Sequence, residues 1–318
     1  MIAKHFSGLT GQGGVALGIG DDAALINTSP NQQLVVASDT LVEGVHFPST
    51  ASGKQIATRA LCVNLSDMAA MGAQPRWFTL ALTLPKKKAN SLWLADFSAG
   101  IAEIAQQFDI ALVGGDTTSG PLTVSITMLG EAPAGKSLQR AGAGVGDTVF
   151  VTGTLGDGAA GLKSISSINS INSDSERLLH RFYAPRPQVE IGLRLRGIAS
   201  ACIDISDGLI ADLGHICQSS GVAASIYQEQ LPVAADVKKL APDHFINWAL
   251  FGGDDYQLCF TVGADKLATV EQWISRAELD ASKIGIIQAS SDSNNLVTVL
   301  DQDNNPIAIN KQGYDHFG

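Results

Sequence analysis

Ile110-Ala111-Leu112-Val113-Gly114-Gly115-Asp116-Thr117 is an apolar run that stops at a glycine pair and an acid. It predicts a short strand over 110–113, with Asp116 in the turn beyond it. The flanking sequence sets the fold class. Upstream, residues 91–108 carry apolar side chains at helical spacing, and so do residues 54–71. Downstream, 122–129 alternates apolar and polar residues as a half-buried strand does. With further strands over 34–37 and 78–84, strands alternate with helices, which reads as an α/β (α+β) domain ending near Ala134. A Gly-rich stretch at 141–146 follows. Beyond it come strands over 148–152, 201–205, 258–262 and 296–300, a helix opening at 156–162, one after Pro185 and Pro187, and one over 209–219. The 318 residues, 45% hydrophobic, suffice for two cored domains. We place them at 1–135 and 136–318. Residues 164–175, rich in Ser, Asn and Ile, read as a poorly ordered connection without function.

The pattern of an apolar segment ending at an aspartate recurs. It is found at Asp21-Asp22, Ser38-Asp39, Ser66-Asp67, Asp116, Asp204 through Ser206-Asp207, and Asp254-Asp255. Any one of these is explained by the aspartate's liking for turns and helix caps. Six such clusters are not, because gathered carboxylates repel unless cations hold them. Asp and Ser oxygens, with few histidines and no thiol motif, suit Mg²⁺ rather than Zn²⁺. Mg²⁺ takes one or two carboxylates and shares the rest of its shell with phosphate, so several acids imply several ions and a polyphosphate. Gly114-Gly115 and Gly252-Gly253 allow backbone to approach a phosphate. Arg140, in a Gly-rich loop, fits a surface arginine or a bidentate phosphate contact equally.

One motif points elsewhere. Residues 130–137, Gly-Glu-Ala-Pro-Ala-Gly-Lys-Ser, match the phosphate-loop pattern GxxxxGK[ST] after a strand. A working phosphate loop opens into a helix, and Gly142, Gly144 and Gly146 make residues 138–146 a poor one. Glu131 adds repelling charge and Pro133 removes an amide. The match reads as accidental.

Charge and composition exclude other classes. The net charge is −10, and Lys86-Lys87-Lys88 is the single tight basic run, so nucleic acid is not the partner. No run of 18 apolar residues occurs and residues 1–5 lack an apolar signal core, so we expect a cytoplasmic protein with no membrane contact. Cys62, Cys202, Cys217 and Cys259 are scattered in apolar surroundings and read as buried reduced thiols.

The ordered set GIGDDAA (18–24), SDTLVEGVHF (38–47), NLSDMAAMGA (64–73), GGDTTSGP (114–121), VTGTLGDGAAGL (151–162), RFYAPRP (181–187), DISDGL (204–209), LFGGDDYQL (250–258) and GYDHF (313–317) resembles the thiamine-monophosphate kinase family, over nearly the whole chain. That family belongs to a superfamily with aminoimidazole ribonucleotide synthetase, selenophosphate synthetase and a hydrogenase maturation factor. The resemblance implies a two-domain fold of the aminoimidazole ribonucleotide synthetase type. Its N-terminal domain would bind ATP and Mg²⁺ and form a homodimer, and its C-terminal domain would complete the active-site cleft. It implies ATP-dependent phosphorylation of thiamine monophosphate by direct in-line transfer. Implied metal ligands are Asp22, Ser38, Asp39, Asp67, Asp116, Asp204 and Asp207, with Asp39, Asp116 and Asp207 central to catalysis. Implied nucleotide contacts are Gly115, Asp116, Arg140 and Ser206, and implied substrate contacts are His46, Asp254 and Tyr314. Asp254 stands where glutamate is expected, one methylene shorter, and Ser38 where threonine is common. Another superfamily enzyme is the alternative. Selenophosphate synthetase would carry a reactive cysteine near its start and the maturation factor a cysteine in its tail, and neither is found here. A non-catalytic Mg–nucleotide-binding module is the reading from a different class.

Overall fold

The computed structural model describes residues 14–19, 23–165, 173–290 and 296–307. The chain divides into two compact units, Met1–Met68 with Ala73–Ser137, and Ala69–Gly72 with Leu138–Gly318.

In the first unit, β1 (Val15–Leu17) and β2 (Leu25–Ile26) pair antiparallel. A four-stranded sheet follows, made of β3 (Gln32–Val42), β4 (Gln74–Leu84), β5 (Ala111–Ser119) and β6 (Thr123–Pro133) in the order β3-β6-β4-β5. Strand β6 runs antiparallel to both neighbours, while β4 and β5 are parallel. A parallel pair needs a crossover, and helix α2 (Ser91–Phe108) supplies it, as α1 (Gly53–Ala70) joins β3 to β4. Helix α2 starts where Asn90 Oδ1 accepts from Trp93 N at 3.0 Å, and ends at Asp109 in the left-handed conformation. Its Leu94, Phe97, Ile101 and Ile104 are buried, and α1 buries Ile56, Ala60, Leu61 and Leu65. The two helices meet closely: a Cβ on Gly100 would stand 2.7 Å from Lys54 O.

On one face of this sheet Trp77, Ala111 and Val113 are buried, with Val15, Ala24 and Ile26 packed against them, while the β3 part of that face is exposed. Along β6, Val124, Ile126 and Met128 are buried, whereas on β3 Leu34, Val36, Ser38 and Thr40 are exposed.

Two strands are longer than expected, and this moves two acids. Ser38, Asp39 and Thr40 continue β3, in register with Thr127, Ile126 and Ser125 of β6. Gly114 to Ser119 continue β5 along β4. Asp39 and Asp116 are therefore strand residues and not turn residues. A continuous ladder with a neighbour outweighs the local turn preference of Ser, Asp and Gly. The phosphate-loop look-alike begins inside β6 and runs into a turn at 134–135, with no helix after it.

The second unit holds a six-stranded sheet of β7 (Thr148–Thr152), β8 (Ala201–Asp204), β9 (Val222–Tyr227), β10 (Leu258–Val262), β11 (Ala281–Ala289) and β12 (Val297–Leu300), in the order β12-β9-β11-β7-β10-β8. Seven helices accompany it among the described residues: α3 (Asp157–Ile165), α4 (Ser173–Tyr183), α5 (Val189–Leu195), α6 (Leu209–Ser220), α7 (Ala235–Leu240), α8 (Phe245–Phe251) and α9 (Ala264–Ser275). The core joins Val149 and Val151, Ile203, Leu209, Leu213 and Ile216, Cys259, Ile284 and Ile287, and Val299. Strands β9 and β11 were not legible from periodicity. Strand β11 carries a register shift between Lys283 and Gly285, where a Cβ would meet Ser225 O at 2.2 Å. Of the segment expected to be poorly ordered, 166–172 lies outside the described residues, and 173 already begins α4. All four cysteines are free and buried, and burial pushes the Cys62 and Cys217 thiols up to about 12.

Candidate functional site

The first unit presents acids from regular structure. Asp39 points off β3 toward α1, where its N–H donates to Asn64 Oδ1 at 3.3 Å and its carboxyl comes within hydrogen-bonding reach of Asp67. Asn64 is itself fully buried and anchored, its Nδ2 donating to Ala60 O at 2.9 Å. Burial raises the Asp39 carboxyl above the ordinary carboxylate range, and the hydrogen bond with Asp67 works against that rise. Ser38, its neighbour, faces the opposite side of the sheet. The Ser38 hydroxyl donates to Ile126 O at 3.1 Å and lies 3.1 Å from Thr127 Oγ1.

Gly115 and Asp116 lie in edge strand β5 and are exposed. At Gly115 φ is 150°, and an added Cβ would stand 1.9 Å from Leu80 O, so only glycine allows this approach. His46 sits in the turn after β3. Its Nδ1 accepts from Val42 N at 3.0 Å, which leaves the proton of the neutral ring on Nε2. The buried Arg59 fixes the turn by donating from Nε to His46 O at 3.1 Å.

The second unit presents its acids from the loops at one end of its sheet. Asp204 is the last residue of β8 and is buried. Ser206 and Asp207 follow in a turn whose two amides converge on one oxygen: Ser206 N and Asp207 N donate to Asp212 Oδ2 at 3.0 and 3.1 Å. Asp212 is buried in the first turn of α6 and has its pKa pushed up to about 7. Burial is the main cause, followed by the charges of Asp204 and Asp207, against which the two amides act. Gly208, at φ 111°, packs so tightly that a Cβ would meet Phe251 C at 2.9 Å.

Beside this turn runs the loop of Asp254 and Asp255. Asp254 N donates to Ser206 O at 2.9 Å. Asp255 is buried and accepts from Gly156 N at 2.7 Å and Gly158 N at 3.0 Å, capping α3 from a distant part of the chain. Behind it, Asp157 accepts from Arg177 and Arg181, and Arg177 also binds Asp236. Arg140 is exposed, and its loop is stitched by Ser220 Oγ, which accepts from Gly142 N and Ala143 N at 3.1 and 3.2 Å.

The structure thus brings Asp39 to Asp67, and Asp204 and Asp207 to Asp212. Among the described residues, it gathers no three His, Cys, Asp or Glu side chains closely enough to hold one metal ion. The donor set still fits Mg²⁺. It is all oxygen, and two carboxyls within hydrogen-bonding reach are what a hard divalent cation relieves, with phosphate and water filling its shell. Asp22 and Tyr314 lie outside the described residues. Sequence reasoning missed Asp212, Asn64 and the capping role of Asp255. Only Asp212 left a signal, an acid in the first turn of a helix.

The family description "AIR synthase related protein, N-terminal domain" matches residues 20–132, and "AIR synthase related protein, C-terminal domain" matches 144–295. The thiamine-monophosphate kinase of Salmonella typhimurium is 41% identical over all of this chain and 97% of its own length. The crystal structure of thiamine-monophosphate kinase from Stenotrophomonas maltophilia is 44% identical, with a TM-score of 0.83 over 90% of this chain and 91% of that one. The structure of AaThiL complexed with AMPPCP and TMP is 31% identical, with a TM-score of 0.80 over 94% of this chain and 92% of that one. Identity and shape agree along almost the full length, so this chain belongs to the thiamine-monophosphate kinase family.

Proposed function

We propose that this chain transfers the γ-phosphoryl group of ATP directly to the phosphate of thiamine monophosphate, forming thiamine diphosphate and ADP. The observation that carries this reading is the crowding of Asp204, Asp207 and Asp212 about one turn, in a chain of this family. Asp204 and Asp207 are among the residues that would hold Mg²⁺, several ions of which would supply charge neutralisation for the transferred phosphoryl group.

The chain's own residues divide the work. Asp22, Ser38, Asp39, Asp67, Asp116, Asp204 and Asp207 supply the oxygens for metal, with Asp39, Asp116 and Asp207 the catalytic residues. Gly115, Arg140 and Ser206 contact the nucleotide. The exposure of Gly115 on edge strand β5 supports its part, because a bare backbone can approach a phosphate. His46, Asp254 and Tyr314 hold the acceptor. No general base is required, since an acceptor phosphate oxygen is already ionised near neutral pH. Residues 1–135 serve nucleotide and dimer, and 136–318 complete the site. The exposed Leu34 and Val36 on β3 support a homodimer. Among the described residues no helix is long and apolar enough to cross a membrane, which supports a cytoplasmic enzyme.

The test is to mix protein, ATP, Mg²⁺ and thiamine monophosphate and to follow ADP and thiamine diphosphate. Equal amounts of both are expected. ADP formed only with another acceptor would point to a different enzyme of the superfamily, and nucleotide binding without turnover to a binding module.

A further inference from the structure

The loop joining α8 to β10 holds two non-glycine residues in the left-handed region, Asp254 at φ 69° and Tyr256 at φ 50°. Aspartate visits that region readily. A bulky aromatic residue does so rarely, and persists there only where its surroundings over-determine it. Here they do. Asp254 N donates to Ser206 O at 2.9 Å, Tyr256 N to Ile205 O at 2.8 Å, and Ile205 N to Gln257 O at 2.8 Å. A Cβ on Gly253 would stand 2.2 Å from Ser206 O, so the loop lies directly on the Ile205-Ser206 backbone. Between the two left-handed residues, Asp255 turns inward to the amides of Gly156 and Gly158. Asp254 and Tyr256, both half-buried, meet each other instead, and the Tyr256 hydroxyl donates to Asp254 Oδ1 at 3.1 Å.

We propose that Tyr256 is a positioning residue whose hydroxyl fixes the carboxyl rotamer of Asp254 for the acceptor. This rests on the proposed contact of Asp254 with thiamine monophosphate. A hydroxyl bound to a carboxylate is a charge-assisted bond, and it favours one orientation of that side chain. A group held in its binding geometry before the ligand arrives loses less freedom on binding, so the gain is in affinity for one substrate and not in the rate of transfer. The strained backbone at Tyr256 is then the means by which a residue two positions away reaches back to Asp254.

The test is Tyr256→Phe, which keeps the ring and removes the hydroxyl. We expect KM for thiamine monophosphate to rise about tenfold, with kcat within about twofold and KM for ATP unchanged. In an Asp254→Ala background, which has no acceptor for the hydroxyl, the same substitution should add nothing. An unchanged KM, a parallel loss toward both substrates, or effects that multiply in the double variant would each overturn the proposal. Crystal structures of the wild type and Tyr256→Phe read the Asp254 rotamer without any turnover, and a carboxyl that stays in place in the variant also overturns it. A wild type that makes no thiamine diphosphate at all would refute the functional reading alone, and the crystallographic comparison would still decide the role of Tyr256.

Discussion

The two units hold their acids by different means. In the first, Asp39 and Asp116 are strand residues and Asp67 belongs to a helix, so the ladders and helical turns that build the unit also aim the carboxyls. In the second, Asp207 and Asp254 ride on turns, where amides would otherwise lack partners. Asp212 satisfies two of them beside Asp207, and Asp255 satisfies two at the start of α3. Strand and helix carry the first unit's acids, with Asn64 accepting from Asp39 N, whereas the turn at Ser206-Asp207 takes a carboxyl, Asp212, as its acceptor. Asp212 and Asp255 are buried acids with raised pKa values, so folding of the second unit is pH-sensitive.

The comparison breaks or holds first at the acids themselves. Asp39→Asn and Asp207→Asn should each lower turnover by about 10²-fold or more, measured as ADP release. Their stabilities should differ in kind. Burial already disfavours the ionised Asp39, so its amide should leave the thermal midpoint unchanged or higher. Near-wild-type turnover in either variant would remove that residue from the machinery.

Next in size is Asp212. Asp212→Ala strips the acceptor from Ser206 N and Asp207 N and should destabilise the protein by about 1–3 kcal/mol in urea unfolding. Asp212→Asn keeps one acceptor oxygen and should recover part of this. Equal losses in both variants would mean that charge, and not the two amide bonds, is what the turn needs.

A smaller effect is expected in the pH profile. Burial, aided by the charges of Asp157 and Asp254 and opposed by the amides of Gly158 and Gly156, pushes Asp255 up to about 8. Between the ordinary carboxylate range and that value, the folded chain keeps a proton that the unfolded chain has released. Stability therefore falls as pH rises through this window. Asp212, at about 7, acts in the same direction. Asp255→Asn, permanently neutral, should flatten the decline in urea midpoint between pH 5 and 9, and an unchanged slope would place the sensitivity elsewhere. The smallest effect belongs to Lys136→Ala. Lys136 is exposed in the stretch after β6, so KM for ATP should stay within about twofold. A collapse of nucleotide affinity would restore the phosphate-loop reading.

Much of the scaffold was legible. Helices α1, α2 and α6 and strands β7 and β10 announce themselves by period, because each buries one stripe or a continuous apolar run. The strand ends were not. Ser38-Asp39-Thr40 and Gly114 to Thr117 have the composition of turns, and only pairing with β6 and β4 keeps them extended. The candidate acids were legible as a set because their number exceeds what capping needs. Their grouping was not, since nothing local ties Asp39 to Asp67 or tells that Asp212 serves the amides of Ser206 and Asp207.

The residues by themselves determined the chemistry available: oxygen donors in excess, few histidines, thiols in apolar settings, and glycines wherever backbone must come close. Tertiary structure decided which acids meet and which merely support. Like charges do not approach of their own accord. They are held together by ladders and buried faces whose stability comes from apolar contacts elsewhere in each unit, and that balance is not written at any single position.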